Sequence, residues 1–124
     1  MIIAGVGCRR GAEGAAIAAM VRRAAGLAGC EIGVLAAASF KVDEAGVRAA
    51  AGLLGVAVVW VGAEALAAVQ GECVTRSAFV GAAVGVASVA EGCALAAAGM
   101  GARLVLARID GPGVTCALAE GDGA

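Results

Sequence analysis

The chain has no histidine and no tyrosine, and only three aromatic residues, Phe40, Trp60 and Phe79, among its 124. Without histidine the commonest general base is missing, and neither a Ser–His–Asp nor a Cys–His arrangement is possible. The usual zinc and iron ligand sets also lose their main member, so no metal and no cofactor are expected. So few rings leave no platform on which nucleic-acid bases stack. The formal charge is −1, from nine basic and ten acidic residues. Such a balance gives no basic footprint, and no nucleic-acid partner is expected.

Long apolar runs are lacking too, although 62% of the residues are hydrophobic. Ala49–Ala63 is bounded by Arg48 and Glu64, and Ser77–Ala90 by Arg76 and Glu91. Both fall short of the roughly 18–20 apolar residues that cross a membrane, so no membrane association is expected. No signal peptide is visible, because the stretch after Arg9 and Arg10 is broken by Glu13, Arg22 and Arg23. C-x-x-C pairs are absent. The five cysteines, Cys8, Cys30, Cys73, Cys93 and Cys116, are odd in number and widely spaced. They fit small buried thiols in a reducing cytoplasm better than a disulfide framework. What is abundant is alanine, valine and glycine, enough for a single domain with a dense small-residue core over residues 1–124.

The most distinctive segment is Gly5-Val6-Gly7-Cys8-Arg9-Arg10-Gly11, directly after Ile2-Ile3-Ala4. It reads as a strand running into a glycine-rich turn that opens a helix at about Ala12. Glycine permits close backbone approach, and the first N–H groups of a helix lack intrahelical partners. With two arginines beside them, the turn suits a carboxylate or phosphate. The plain alternative is a strand–turn–helix connection with two solvated arginines. A nucleotide- or phosphate-binding module is a further alternative, although the turn is not G-x-G-x-x-G and no Walker lysine follows.

Further along, Ala12–Ala25 reads as a helix, with Gly26 and Gly29 at its exit. Glu31–Ala36 reads equally as a strand or a short apolar turn of helix. Phe40–Asp43 is irregular, Glu44–Leu54 a helix closed by Gly55, and Val56–Val61 a β-branched strand. Gly62–Val69 is a short helix and Gly71–Ser77 a polar connection. Ser88–Ala98 is a helix with an S-x-x-E capping box. Arg103–Arg108 and Val114–Leu118 are strands joined by hairpin residues Asp110-Gly111-Pro112-Gly113, and the tail from Glu120 frays. The expected class is α/β, with a mixed, mostly parallel sheet of about five strands covered on both faces.

Four polar islands interrupt the apolar chain: Cys8-Arg9-Arg10; Ser39 to Glu44; Ser88 with Glu91; and Arg108 with Asp110 and Thr115. In such a sheet, ligands sit outside the carboxyl ends of the strands. The expected ligand-binding set is therefore Gly5, Gly7, Cys8, Arg9, Arg10, Ser39 and Lys41. Glu44 and Glu91 are the candidate water activators for catalysis, with Arg9 or Lys41 stabilising an oxyanion. Each has a structural reading beside it. Asp43 and Glu44 complement a helix dipole, and Ser88 with Glu91 forms a cap. Cys8 is either a small buried thiol or one whose pKa a helix terminus and arginines lower.

Taken in order, G-x-G-C-R-R-G at Gly5–Gly11, S-x-K-x-D-E at Ser39–Glu44, the run Gly85–Gly99 and V-T-x-A at Val114–Ala117 resemble the CobE family of cobalamin biosynthesis. That family is similar to the C-terminal domain of CbiG. The family spaces its serine and lysine further apart than Ser39 and Lys41, and has a lysine where Arg108 stands here. The resemblance implies a three-layer α/β/α fold and a role in building the corrin ring. It implies a corrinoid or precorrin intermediate as ligand, and other cobalamin-biosynthesis enzymes as further partners. Full-length CbiG proteins are similar to cobalt-precorrin-5A hydrolases, which open a lactone, so hydrolysis is the alternative activity. Corrin precursors carry many acetate and propionate carboxylates, which cations and free helix N–H groups would hold.

Overall fold

The computed structural model describes residues 1–73 and 88–121. The expected polar connection beyond Cys73, the first residues of the 85–99 run and the tail beyond Gly121 lie outside them.

β1 (Ile2–Cys8) leads through a turn to α1 (Gly14–Ala28), β2 (Val34–Ala38) and a 3₁₀ turn at Ser39–Lys41. Then come α2 (Ala45–Leu54), β3 (Ala57–Val61), α3 (Ala63–Ala68) and a second 3₁₀ turn at Gln70–Glu72. After the undescribed stretch follow α4 (Val89–Ala98), β4 (Arg103–Gly111) and β5 (Val114–Glu120). The five strands form one sheet in the order β3-β2-β1-β5-β4. β1, β2 and β3 pair in parallel, and β5 runs antiparallel to both β1 and β4. Four of the five strands therefore point the same way, with β5 reversed among them, which is the mixed sheet the sequence led us to expect.

Period-two alternation assigns the two faces. Ala4, Val6, Leu35, Ala37, Cys116 and Leu118 face α1 and α2, where Ile17, Val21, Ala24, Val47 and Ala50 meet them. Ile3, Ala36, Ala38, Val61 and Ala119 face the other way, onto Leu66 of α3 and Cys93, Ala94, Ala97 and Ala98 of α4. The result is three layers. α4 is buried on nearly every side, with Ala90, Glu91, Gly92, Cys93, Ala94 and Leu95 all inaccessible. A helix can lie that deep here because alanine and glycine keep its surface low and let backbones approach.

Several expectations shift, among them the ends of the last hairpin: β4 runs on to Gly111, and Glu120, expected to fray, is the last residue of β5 and pairs with Ile2 and Arg103. Glu31–Ala36 resolves as a strand that starts three residues later and ends two later, at Val34–Ala38. α1 runs past Gly26 to Ala28, because the αL termination falls on Gly29, at φ 69°, with the N–H groups of Gly29 and Cys30 both donating to the Ala25 carbonyl. The glycine-rich segment is mostly strand: Gly5, Gly7 and Cys8 pair with Ala117, Thr115 and Val114 of β5. The turn is confined to Arg9–Ala12, closed by a hydrogen bond from Ala12 N–H to the Arg9 carbonyl at 3.2 Å. Gly11 supplies the positive φ, 79°, that its third position requires. α1 starts only at Gly14, two residues later than the spacing predicts.

Ser88 is the N-cap of α4, with extended backbone and its hydroxyl oxygen accepting from the Glu91 N–H at 3.1 Å. The cap sits in the interior, with no solvent to replace the lost bond. Ser88→Ala is expected to cost about 1–2 kcal/mol, the upper part of the range for N-caps. Chemical denaturation read by far-UV circular dichroism measures this, and an unchanged midpoint would remove Ser88 from the stability of α4.

Candidate functional site

The carboxyl ends of β1, β2 and β4 and the start of β5 lie along one edge of the sheet, as the register requires. α4 lies across β1 with its C-terminal Ala98 against Gly121, beyond the opposite edge, and its N-terminal Val89 at this one. A cleft of about 310 Å³ opens here. β1 contributes Gly7, Cys8 and the following Arg9. β4 and β5 contribute Arg108, Gly111, Gly113, Val114 and Thr115, and α4 contributes Val89.

The local sequence explains the shape. Gly7 lies opposite Thr115, whose hydroxyl would stand 2.7 Å from any Cβ placed at Gly7. That hydroxyl lies 3.4 Å from the Gly7 carbonyl, to which it donates. Arg9 donates its backbone N–H to the Gly113 carbonyl at 2.9 Å. Its side-chain stem lies over Gly113, where a Cβ would meet Arg9 Nε at 2.6 Å. Gly113 therefore makes room for the arginine and, at φ 72°, turns the hairpin. Arg9 is held at one wall of the cleft by its backbone and stem while its head group stays exposed.

The opposite wall is Arg108. Between Leu106, which pairs with Leu118, and Ile109, which pairs with Cys116, β4 has one residue more than β5. This bulge turns the Arg108 N–H out of the regular ladder. Glu91 Oε2 accepts it at 2.9 Å, from a side chain fully buried on α4. Arg108 Nε lies 2.9 Å from Asp110 Oδ1 as an ion pair. The approach is off the N–H axis, so the buried Nε is ion-paired without being hydrogen-bonded.

The other anticipated residues fall in three places. Ser39 and Lys41 follow β2, next to β1 along the same edge, and Lys41 lies close enough to act electrostatically on the Cys8 thiol. Arg10 is exposed in the Arg9–Ala12 turn, away from the cleft lining. Gly5 is buried under α4, where a Cβ would lie 2.5 Å from the Ala94 nitrogen, so it serves packing and touches no cleft.

The chemistry of the candidate groups is also revised. Burial raises the Cys8 pKa above its ordinary value, Lys41 opposes that and Glu44 adds to it. Of the two readings of Cys8, the buried thiol fits this direction and the thiol of lowered pKa does not. Glu44 Oε2 accepts the Gly11 N–H at 3.0 Å, bracing the turn from the start of α2. That N–H is therefore already engaged. Glu91 is buried and holds the β4 bulge. Neither carboxylate lines the cleft.

Sequence reasoning singled out Arg108, Asp110 and Thr115 as a polar island but did not join them to Gly7 and Arg9. The missing step was the reversal of β5 between β1 and β4, which brings the hairpin to the carboxyl end of β1. A larger cavity, about 550 Å³, lies at the far end of α4 among Leu95, Gly99, Met100 and Ala102. None of the four sequence islands reaches it, so it is not the candidate site.

No helix among the described residues is long and apolar enough to cross a membrane. The family model described as "Cobalamin synthesis G C-terminus" matches residues 2–119. No curated protein matches the chain. Among solved structures, CobE, a protein from the cobalamin (vitamin B12) biosynthetic pathway, is 34% identical with a TM-score of 0.86, covering 96% of this chain and 89% of its own. The cobalamin biosynthesis protein ChiG from Agrobacterium tumefaciens str. C58 is 42% identical with a TM-score of 0.81, covering 98% and 99% respectively. A cobalamin biosynthesis protein G homologue from Sulfolobus solfataricus, 21% identical with a TM-score of 0.69, shares the fold over 37% of its own length. With a family match over residues 2–119 and solved relatives 34% and 42% identical over nearly the whole chain, this protein belongs to the cobalamin synthesis G C-terminal family.

Proposed function

We propose that the protein binds a carboxylate-rich corrinoid or precorrin intermediate at the carboxyl edge of its sheet and acts as an accessory or carrier protein in corrin-ring synthesis. The observation that carries this reading is a narrow cleft walled by two arginines, Arg9 and Arg108, and floored by Gly7 and Thr115. At about 310 Å³ the cleft takes one acetate or propionate arm and not the macrocycle. The ring itself would rest outside, over the low surface of Gly111 and Gly113. Lys41 and the exposed Phe40 on the neighbouring loop extend the edge with a cation and an apolar face. Cations that meet carboxylates at a partly desolvated rim give charge-assisted hydrogen bonds. Hydrolysis finds less support, because Glu44 and Glu91 are both engaged in holding backbone.

The test uses a corrinoid with free side-chain carboxylates and its fully amidated counterpart, titrated and read by the visible absorption of the ring. The free acid is expected to bind more tightly. Arg9→Ala is expected to weaken its binding about tenfold, the worth of one charged hydrogen bond. That loss should shrink as salt rises, and Arg10→Ala, at the turn, should cost much less. Equal affinities for acid and amide in all three proteins would overturn the reading.

A further inference from the structure

We propose that Asp110 is a built-in competitor for the ligand's carboxylate, occupying Arg108 until the ligand displaces it, and that Glu91 is the positioning residue for this exchange. The inference rests on the carboxylate-binding reading above and deepens it. Arg108 lines the cleft with its side chain 20% exposed, whereas Asp110 is 64% exposed on the hairpin. The arginine is therefore anchored and the aspartate is not. The pair lies at 2.9 Å but off the hydrogen-bond axis, leaving the buried Nε–H without an aligned acceptor. A carboxylate arriving in the cleft offers the geometry that Asp110 does not, including a two-pronged contact with the guanidinium. Asp110 can swing into water at little cost, since an exposed ion pair contributes little. What keeps Arg108 from following is its backbone: the bulge N–H is fixed by the buried Glu91 carboxylate at 2.9 Å.

A competitor held on the binding group lowers apparent affinity by the fraction of time it occupies that group. Asp110→Asn keeps the shape, removes the charge and is therefore expected to tighten binding of the free-acid corrinoid about threefold, with no change for the amidated ring. In an Arg108→Gln background the same Asp110→Asn change should have no effect, and Arg108→Gln alone should weaken binding of the acid. Glu91→Ala, which removes the acceptor of the Arg108 N–H, should abolish the Asp110→Asn gain with the fold checked by circular dichroism, whereas Glu91→Gln, whose amide oxygen can still accept that N–H, should keep it. Unchanged or weaker binding by Asp110→Asn, or a gain that survives without Arg108, would overturn the exchange.

A second measurement separates this from the corrinoid reading. The Arg108 Nε–H resonance in nitrogen-15 NMR is followed while glutarate, a simple dicarboxylate, is added to wild type and to Asp110→Asn. A shift at lower glutarate concentration in the variant, with no corrinoid binding, would keep the exchange and sink the corrinoid reading. Corrinoid binding that depends on Arg9 but not on Asp110 would do the reverse.

Discussion

Gly5→Ala is expected to cost about 3 kcal/mol or more, the upper end for overpacking, and to leave much of the protein unfolded. The added methyl has no place to go. It would stand 2.5 Å from the Ala94 nitrogen and 2.9 Å from the Ala94 Cβ, and closer still to the Ala90 carbonyl oxygen. These are mostly backbone atoms of α4, so relief requires the whole helix to lift from β1. A lifted α4 would also withdraw Val89 from the cleft and the Glu91 carboxylate from the Arg108 N–H. Gly26 provides the control. It lies inside α1 with open space around it, so Gly26→Ala is expected to stabilise by about 0.5–1 kcal/mol. Urea denaturation of the two variants measures both. If Gly5→Ala matches wild type, the close approach of α4 to β1 is not as described.

A large effect is also expected at alkaline pH. Burial pushes the Cys93 and Cys116 thiols up to about 12 from an ordinary 9.0. Below pH 9.0 both the folded and unfolded chains hold these protons, and folding is unaffected by them. Above it the unfolded chain releases protons that the folded chain retains, so stability falls as pH rises, until the folded thiols themselves ionise near 12. Each pH unit in that window corresponds to about 1.4 kcal/mol per thiol. By about pH 10.5 the two thiols together remove roughly 4 kcal/mol. A Cys93→Ala/Cys116→Ala variant should lose much less over the same range, despite a lower starting stability from its small cavities. Parallel slopes for the two proteins would show that other groups govern the alkaline limb.

Much of the architecture was legible in the chain because local chemistry and tertiary packing agree. Gly55 ends α2, Ser88 caps α4, and Asp110–Gly113 turns the last hairpin, each by chemistry that three or four residues decide. The boundaries that moved are those where distant partners decide. Gly5 and Gly7 look like turn residues in sequence, and only pairing with β5, more than 100 residues away, makes them strand. The site divides in the same way. Arg9 and Lys41 follow strands that point to the same edge, which alternation of strands and helices already implies. Arg108 joins them only through the reversed β5 and a one-residue bulge, and neither leaves a mark in the local composition. The Cys8 environment is likewise a matter of burial, which a helix-terminus motif does not report.

The reversed final strand also sets an order of events during synthesis. β1 is made before β5, and one whole side of it, from Ile2 opposite Glu120 to Cys8 opposite Val114, has no neighbour until β5 follows. Such long-range closure is slow and falls late in folding. A nascent chain can assemble β1, β2 and β3 with α1 and α2, but it has neither the Thr115 floor nor the Arg108 wall. On the proposed function, ligand capture would be reserved for chains whose sheet is already closed, and a bound ligand would act on the folded population alone.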